Sequence, residues 1–237
     1  MNLILLFGDD FDPQGHAVLR DSRRLEHILK IHRAGLGDTL RVAQVEGLMG
    51  TGTIIDINTG SITLEVHLTQ QPPPPSNIHM ILGLPRPPML KRTLQTIAAL
   101  GVKQLTLLQS ARVEKSYWQS PQLHPEKIHA ELLLGLEQGC DTRFPVIHWA
   151  KRFRPFVEDE LPKLMQTHDA LLAHPYVTTP CPTETNRPTL LAIGPEGGFI
   201  DNEIAMLTKA GFQGVTLGER IMRVETVVPY LLGRLGG

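Results

Sequence analysis

The segment "LLAIGPEGGFIDNEIAMLTKAG" combines an apolar strand-like run, a glycine-rich loop and an amphipathic helix. Gly194, Gly197 and Gly198 permit backbone conformations and close approaches that side chains would block. Open α/β sheets bind ligands in such loops, at the carboxyl ends of their strands. The loop lacks the Gly-Lys-Ser/Thr ending of a phosphate loop and the full G-x-G-x-x-G spacing of a Rossmann unit, so we predict a different ligand. A plain strand-to-helix turn is the alternative.

A second polar segment, "LGERIMRVETVVPYLLGRL", follows the apolar stretch "GVTLG" and ends in an apolar helix. Arg220, Arg223 and Glu225 lie between two apolar elements, where packing favours neutral residues. We predict that these side chains orient a polar substrate beside the glycine-rich loop. A structural ion pair between Arg223 and Glu225 is the alternative.

Basic residues cluster locally in a chain that is nearly neutral overall. With a formal net charge of −1 and a pI near 6.8, the chain is not basic overall, unlike most nucleic-acid-binding domains. One cluster lies in and beside "DSRRLEHILKIHR" and comprises Arg20, Arg23, Arg24, Lys30 and Arg33. A second, in "AKRFRPF", comprises Lys151, Arg152 and Arg154. Each indicates either a local RNA contact or a solvated helix face or loop.

The composition is typical of a folded globular protein, with 237 residues, 41% hydrophobic and 20% charged. The opening "NLILLF" is too short for a signal-peptide core, and no apolar run approaches the ~18 residues of a membrane span. We therefore expect a cytoplasmic protein that does not bind a membrane. Cys140 and Cys181 lack metal-ligand spacing, so we expect reduced thiols and no metal.

Four consecutive prolines in "QQPPPPSN" mark a junction in the chain. We predict one domain at residues 1–71 and another at residues 72–237. In the first, a helix around Ser22–Ala34 precedes three apolar-rich strands, "TLRVAQV", "TGTIIDI" and "SITLEVHL". This pattern favours a small β-barrel.

Strands and helices alternate after the prolines, which predicts an α/β domain with a mostly parallel sheet. The expected strands are "IHMILGL", "VKQLTLLQS", "PVIHW", "DALLAH", "TLLAIG" and "GVTLG". Leu90, Leu94, Ile97 and Leu100 have helical spacing in "LKRTLQTIAALG" and predict a helix that packs on the core.

These segments resemble the signature of the ribosomal RNA uridine-N3 methyltransferases, the small subunit methyltransferase E family of the SPOUT class. "LLAIGPEGGF", the acidic "DNE" helix start, "GF" and "LGERIMRVET" are similar to it in order and spacing. "HILKIHRAGLGDTLRV" is similar to the family's barrel segment, with His27, Arg33, Gly37 and Asp38 at matching places. "LGLEQGCDTRFPV" resembles its E-Q-x-x-R-x-x-P stretch with looser spacing. The resemblance covers nearly the whole chain.

The resemblance implies an N-terminal PUA-like β-barrel and a C-terminal SPOUT-type α/β domain with a trefoil knot. It also implies a homodimer that pairs through the knotted domains. The knot loops of this class bind S-adenosylmethionine (SAM), chiefly through backbone groups. By analogy, the cofactor-binding residues are Leu172, Ala173, His174, Ile193, Gly194, Pro195, Glu196, Gly197, Gly198, Leu217, Gly218, Ile221, Met222 and Arg223.

The implied reaction is SAM-dependent methylation of uridine N3 in 16S ribosomal RNA of the small subunit. SAM carries an activated methyl group, so no metal is required. Uracil N3 must lose a proton before it reacts, which requires a base or an environment that stabilises the anion. Arg223 is the candidate for stabilising negative charge on uracil, and Glu225 for orienting Arg223 or assisting proton removal. Arg20, Arg23, Arg24, Lys30 and Arg33 are the candidates for holding the RNA backbone.

Two departures from the family pattern leave other functions open. Thr96 and Ala99 replace a lysine and a glutamate of the family's Q-K-x-x-E-L-G helix, and "RVETVVPY" replaces R-T-E-T-A. The alternatives are a non-catalytic or differently targeted RNA-binding protein of the same fold, and a Rossmann-type nucleotide enzyme. The late position of the glycine loop counts against the second.

Overall fold

The computed structural model describes residues 2–185 and 187–236, which fall into two compact units. The first comprises residues up to Pro74 together with Leu133–Phe144, and the second comprises Pro75–Leu132 and the residues from Pro145 onward. The sequence-based division after residue 71 assigns residues 133–144 to the second domain, whereas the structure groups them with the first. Backbone hydrogen bonds explain this grouping, because the amides of Asn2 and Leu3 both donate to the carbonyl of Glu137.

The first unit contains a five-stranded sheet with the order β1-β3-β4-β5-β2. Its strands are β1 (Ile4–Leu6), β2 (Ala17–Leu19), β3 (Thr39–Gln44), β4 (Met49–Asn58) and β5 (Ser61–Gln70). Strands β1 and β3 are parallel, and the other pairs are antiparallel. The three strands predicted from the sequence are β3, β4 and β5. The short strands β1 and β2, with no alternating pattern long enough to predict them, form the two edges.

A hairpin joins β4 to β5, and Gly60 makes its turn at φ +90°, where a side chain would be strained. Ile62 and Leu64 alternate inward from β5 onto the core of this unit. The predicted helix begins as α1 (Ser22–Glu26) and continues as a π-helical turn over His27–Ile31. Its buried Ile28 packs in the same core.

The second unit contains a six-stranded parallel sheet with the order β11-β9-β10-β6-β7-β8. The strands are β6 (Ile78–Gly83), β7 (Gln104–Leu108), β8 (Val146–Ala150), β9 (Asp169–Ala173), β10 (Thr189–Ile193) and β11 (Gln213–Val215). The predicted α/β architecture with a parallel sheet is confirmed. Strands β6 and β10 are buried along their whole length, which is why they read as continuous apolar runs.

Helices join these strands. They are α2 (Pro87–Ala99), α3 (Pro125–Gly139), α4 (Phe153–Pro155), α5 (Leu161–Leu164), α6 (Asp201–Lys209) and α7 (Val224–Arg234), with a π-helical turn, Phe156–Glu160, between α4 and α5. The residues of α3 from Leu133 onward belong to the first unit. Leu90, Leu94 and Ile97 are buried on α2 as predicted, while Leu100 lies just after the helix and is 36% exposed. Within residues 2–185 and 187–236, none of the helices has the length and apolar character that a membrane span requires.

Candidate functional site

Three loops of the second unit meet at one edge of its sheet. Strands β9, β10 and β11 are parallel neighbours, so their carboxyl ends point the same way. The loops that follow them span residues 174–188, 194–200 and 216–223, with Asn186 outside the described residues. The sequence-predicted cofactor residues all fall on these loops or on the last residues of β9 and β10.

Backbone hydrogen bonds join the loop after β9 to the segment around β11. The amide of His174 donates to the Val215 carbonyl (3.0 Å), and the amide of Thr216 donates to the Thr179 carbonyl (2.8 Å). The amide of Cys181 in turn donates to the carbonyl of Thr216 (2.9 Å). These bonds hold the first and third loops side by side.

The loop after β10 is a tight turn that depends on glycine. The amide of Gly198 donates to the Pro195 carbonyl (2.7 Å), and Gly198 has φ +72°, a conformation that favours glycine. Gly83, at the end of β6, lies directly against this turn, because a Cβ on Gly83 would sit 2.5 Å from Cδ of Pro195. The turn therefore packs on the neighbouring strand.

Gly194 allows the two ends of the glycine-rich loop to pack closely against each other. A Cβ on Gly194 would lie 3.0 Å from the Phe199 amide nitrogen and 3.1 Å from Gly198 Cα. The sequence suggested that a side chain here would fill space needed by a ligand. In the structure, the side chain would instead press on the backbone of the same loop, so a substitution would first distort the turn.

Polar groups from neighbouring segments hold the second loop. The Arg86 amide donates to Oε1 of Glu196 (3.0 Å), and the Arg112 guanidinium donates to the Gly197 carbonyl. Glu203, buried in the first turn of α6, accepts hydrogen bonds from the amides of Ile200 (3.0 Å) and Ala111 (2.7 Å). Its carboxylate thus links α6 to the segment after β7.

Arg112 and Glu203 support the site but were not predicted from the sequence. For Glu203, the signal was its place three residues after Ile200 at a helix start, where a carboxylate satisfies a free backbone amide. Arg112 gave no signal in the sequence, because its bond to Gly197 spans 85 residues and depends on the order of strands.

The loop after β11 exposes backbone groups. Gly218 has φ +110°, with its amide and carbonyl both bonded to the Thr216 hydroxyl (3.3 and 3.2 Å). Among the residues the structure describes, the backbone amides of Leu217, Ile221 and Met222 have no hydrogen-bond partner. Unpaired N–H groups beside a glycine with positive φ are suited to bind a polar ligand.

Arg223 and Glu225 lie together at the start of α7. Nη1 of Arg223 is 3.9 Å from Oε1 of Glu225, and the Arg223 side chain is 86% exposed. An ion pair this long and exposed contributes little to stability. Glu225 is favoured in the first turn by the helix dipole, and the guanidinium of Arg223 extends into solvent.

The structure assigns two of the proposed RNA-binding arginines to internal ion pairs. The buried guanidinium of Arg24 donates to both carboxylate oxygens of Asp10 (2.6 and 2.9 Å) and to the Leu5 carbonyl (3.2 Å). Arg23 makes a two-bonded pair with Glu137. Arg24 is therefore corrected from an RNA contact to a structural residue, because it is inaccessible to a phosphate.

The other three cations of this cluster are exposed. Arg20 makes a long bond to the Val18 carbonyl (3.5 Å), and Lys30 pairs with Glu26 on the surface (3.0 Å). Arg33 is exposed and has φ +55°. All three remain accessible to an RNA backbone.

The chain resembles proteins of one family along nearly its whole length. The family described as RNA methyltransferase domain matches residues 72–236. Ribosomal RNA small subunit methyltransferase E from Treponema pallidum is 31% identical over 231 residues, which cover 94% of this chain and 86% of that protein. The protein of the same name from Synechocystis is 26% identical over 90% of this chain and 70% of its own length.

Two solved structures share the fold. Ribosomal RNA small subunit methyltransferase E from Neisseria gonorrhoeae, bound to S-adenosyl methionine, matches with a TM-score of 0.74 and 19% identity. A methyltransferase from Legionella pneumophila, in complex with the bound cofactor SAM, matches with a TM-score of 0.73 and 21% identity. Each match covers 98% of this chain and 95% of the other.

Proposed function

Because the chain belongs to the ribosomal RNA small subunit methyltransferase E family, we propose that it transfers a methyl group from SAM to uridine N3 in 16S ribosomal RNA. The observation that carries this proposal is the cluster of three loops at the carboxyl ends of β9, β10 and β11. The third loop carries the unpaired amides of Leu217, Ile221 and Met222, and the second and third loops each contain a glycine with positive φ, Gly198 and Gly218. They form a cradle for a polar nucleoside-like ligand.

The residues of this cradle fit SAM. The cofactor-binding set is the ends of β9 and β10 with the loops that follow, Leu172–His174 and Ile193–Gly198, and the third loop at Leu217, Gly218 and Ile221–Arg223. Unpaired amides can bind an adenine edge or a carboxylate at close range. When bound, SAM supplies a methyl group that its sulfonium has already activated. A metal has no role in this proposal.

Arg223 and Glu225 provide the protein's chemistry toward uracil. The N3 proton leaves to a base as N3 forms a bond to the methyl carbon, while the carbon–sulfur bond breaks and its electron pair stays on sulfur. Arg223 stabilises the negative charge that develops on the uracil oxygens. Glu225, 3.9 Å from it, orients the guanidinium or assists proton removal. Positioning N3 in line with the carbon–sulfur bond supplies much of the remaining acceleration.

The uridine reaches this site unpaired. N3 lies on the Watson–Crick edge, so a paired uridine cannot present it and must be extruded. The first unit holds the flanking RNA backbone through Arg20, Lys30 and Arg33, with Arg23 contributing only the face of its guanidinium that Glu137 leaves open. In this proposal the first unit is the PUA-like barrel domain of the family. The binding partner is the small ribosomal subunit or its RNA.

The family's trefoil knot and homodimer complete the proposal. The first and third loops are hydrogen-bonded to each other, and Nε of Arg234 in α7 donates to the Cys181 carbonyl (2.9 Å). These bonds support a last segment that is threaded against the loop after β9. Ile221 on the third loop and Tyr230 on α7 are apolar side chains that are 72% and 46% exposed, which supports their burial in a dimer. The location of such a dimer is the cytoplasm, where ribosomes are assembled.

The test is methylation of small-subunit RNA, followed by mapping of the modified nucleoside by mass spectrometry. We expect one methyl group on uridine N3, with adenosylhomocysteine as a competitor of SAM. Arg223→Ala should lower single-turnover methylation by roughly 10²-fold, as for loss of a transition-state donor. RNA affinity should change little. Lys209→Ala, at the end of α6, is the matched control for loss of an exposed cation.

Two results would contradict this proposal. An Arg223→Ala protein that loses only RNA affinity and keeps its saturated rate would make Arg223 an RNA-positioning residue. A wild-type protein that binds SAM and RNA but transfers no methyl group would favour a non-catalytic RNA-binding protein of this fold.

A further inference from the structure

The carboxyl edge of the sheet continues beyond the three loops to the edge strand β8. Ile193, the last residue of β10, pairs with Leu82 of β6, which pairs with Leu107 of β7. Leu107 in turn pairs with Trp149 of β8. Trp149 therefore lies at the same level of the sheet as the start of the glycine-rich loop, three strands or about 14 Å away.

Trp149 and Trp118 form an aromatic pair at this edge. Their ring centroids are 6.1 Å apart and their planes meet at 61°, an edge-to-face arrangement. Trp149 is 43% exposed, a high value for an indole, and β8 is an edge strand that pairs with β7 on one side only. An exposed indole face beside a second aromatic ring is a stacking surface.

A hydrogen bond to the Gln109 side chain holds the Trp118 ring in place. Its Nε1 donates to Oε1 of Gln109, and Nε2 of the same amide donates to the carbonyls of Ser110 (2.7 Å) and Val113 (3.0 Å). Gln109 thus ties the short helix at Lys115–Gln119 to the end of β7. A rigid ring loses little conformational entropy when a ligand stacks beside it.

Basic side chains lie beside the aromatic pair. Nζ of Lys151 lies 5.9 Å from the Trp118 ring centroid, and Arg152 beside it is exposed. Arg154 is also exposed, with Glu158 3.6 Å away as its surface partner. The Glu114 carboxylate, close to Trp118 in the chain, accepts bonds from the hydroxyls of Tyr117 and Ser116. Cations next to an exposed indole match a phosphate backbone next to a base.

We propose that Trp149, backed by Trp118 and flanked by Lys151 and Arg152, is a stacking site for an unpaired base of the RNA substrate. This inference rests on the proposed function and extends its substrate site. The stacked base belongs to the same RNA strand as the target uridine and lies a few nucleotides from it, because the two positions are about 14 Å apart on one edge. Stacking accepts any base, so this site holds the strand and leaves selection to the catalytic pocket.

Tryptophan fluorescence tests this directly, because the chain has two tryptophans and both are in the pair. The probe is single-stranded oligouridylate of about ten nucleotides, titrated into the Trp118→Phe protein so that Trp149 alone reports. We expect quenching of Trp149, and about tenfold weaker binding after Trp149→Ala. Trp149→Phe should recover most of the affinity. Val146→Ala, at the other end of β8 and also exposed, is the matched control.

Methylation assays separate this inference from the proposed function. Trp149→Ala should raise KM for RNA about tenfold, with kcat and SAM affinity unchanged. If the wild-type protein methylates RNA but Trp149 is not quenched and its removal changes nothing, the stacking site is wrong. If the protein is quenched by RNA but transfers no methyl group, the stacking site holds and the function fails. A change in oligomeric mass after Trp149→Ala, with RNA affinity intact, would make this surface a protein interface and overturn the inference.

Discussion

Arg23 and Glu137, 114 residues apart in the chain, form a two-bonded ion pair within the first unit. Nη1 of Arg23 donates to Oε2 of Glu137 (2.6 Å) and Nη2 donates to Oε1 (3.0 Å). The Glu137 side chain is only 1% exposed. Its hydrogen bonds to this guanidinium raise the pKa of Arg23. The pair thus fastens the last part of α3, from Leu133 to Gly139, to α1.

Arg23→Ala should destabilise the protein by roughly 3 kcal/mol, because it leaves a buried carboxylate without its partner. Thermal or urea unfolding measures this change. The double variant Arg23→Met with Glu137→Leu should recover most of the lost stability, since it removes both charges. A loss of RNA affinity in Arg23→Ala at unchanged stability would show that Arg23 acts mainly on RNA.

Arg112 should be required for tight SAM binding, although it lies outside the three loops. Its guanidinium donates to the Gly197 carbonyl, and its Cδ would lie 3.1 Å from a Cβ on Gly197. Arg112→Ala should weaken SAM affinity roughly tenfold, because the second loop loses a charged hydrogen bond. Calorimetric titration measures it, with Lys115→Ala as the control. Equal affinities for the two variants would show that the loop holds its conformation without Arg112.

The exposed cations of the first unit should govern the salt dependence of RNA binding. Changing Arg20 and Lys30 to Gln removes two positive charges that are not buried in the protein. The slope of log affinity against log salt should then fall in magnitude by about 1.4 for single-stranded RNA, because fewer counterions are released. Filter binding at several salt concentrations measures this slope. The kcat at saturating RNA should be unchanged. An unchanged slope would place the RNA backbone on another surface.

His79 should make stability fall in acid. It is buried in β6 and bonded to Oγ1 of Thr106 (2.9 Å). Burial, with the nearby His148 and His168, lowers the pKa of His79 from 6.5 to about 4. Because the unfolded state binds this proton first, stability should decrease as pH falls from about 6.5 to 4, by roughly 3 kcal/mol in total.

His79→Gln is the comparison that isolates this effect, because glutamine is neutral throughout the range. Urea unfolding at pH 4 to 7 should show a flatter stability curve for this variant than for the wild type. Parallel curves for the two proteins would mean that other groups cause the acid sensitivity.

The sequence predicted the elements whose signals are local. The alternation after the prolines predicts the parallel sheet, and the spacing of Leu90, Leu94 and Ile97 predicts the buried face of α2. The apolar run of a buried strand and the spacing of apolar residues in a helix are patterns among residues that are close together in the chain. They can therefore be read directly from the sequence. The glycine-rich loop was found for the same reason, since its residues are consecutive.

The partners of charged and aromatic residues were decided by the tertiary structure. Arg24 and Lys30 belong to one basic segment, yet Arg24 is buried against Asp10 and Lys30 is exposed. Charge and helix position alone could not distinguish them, because the difference depends on which face packs on the sheet. In the same way, Trp149 is level with Ile193 only through the pairing of four strands. The strand order that creates this edge comes from contacts between distant segments, and those contacts leave no short-range pattern in the sequence.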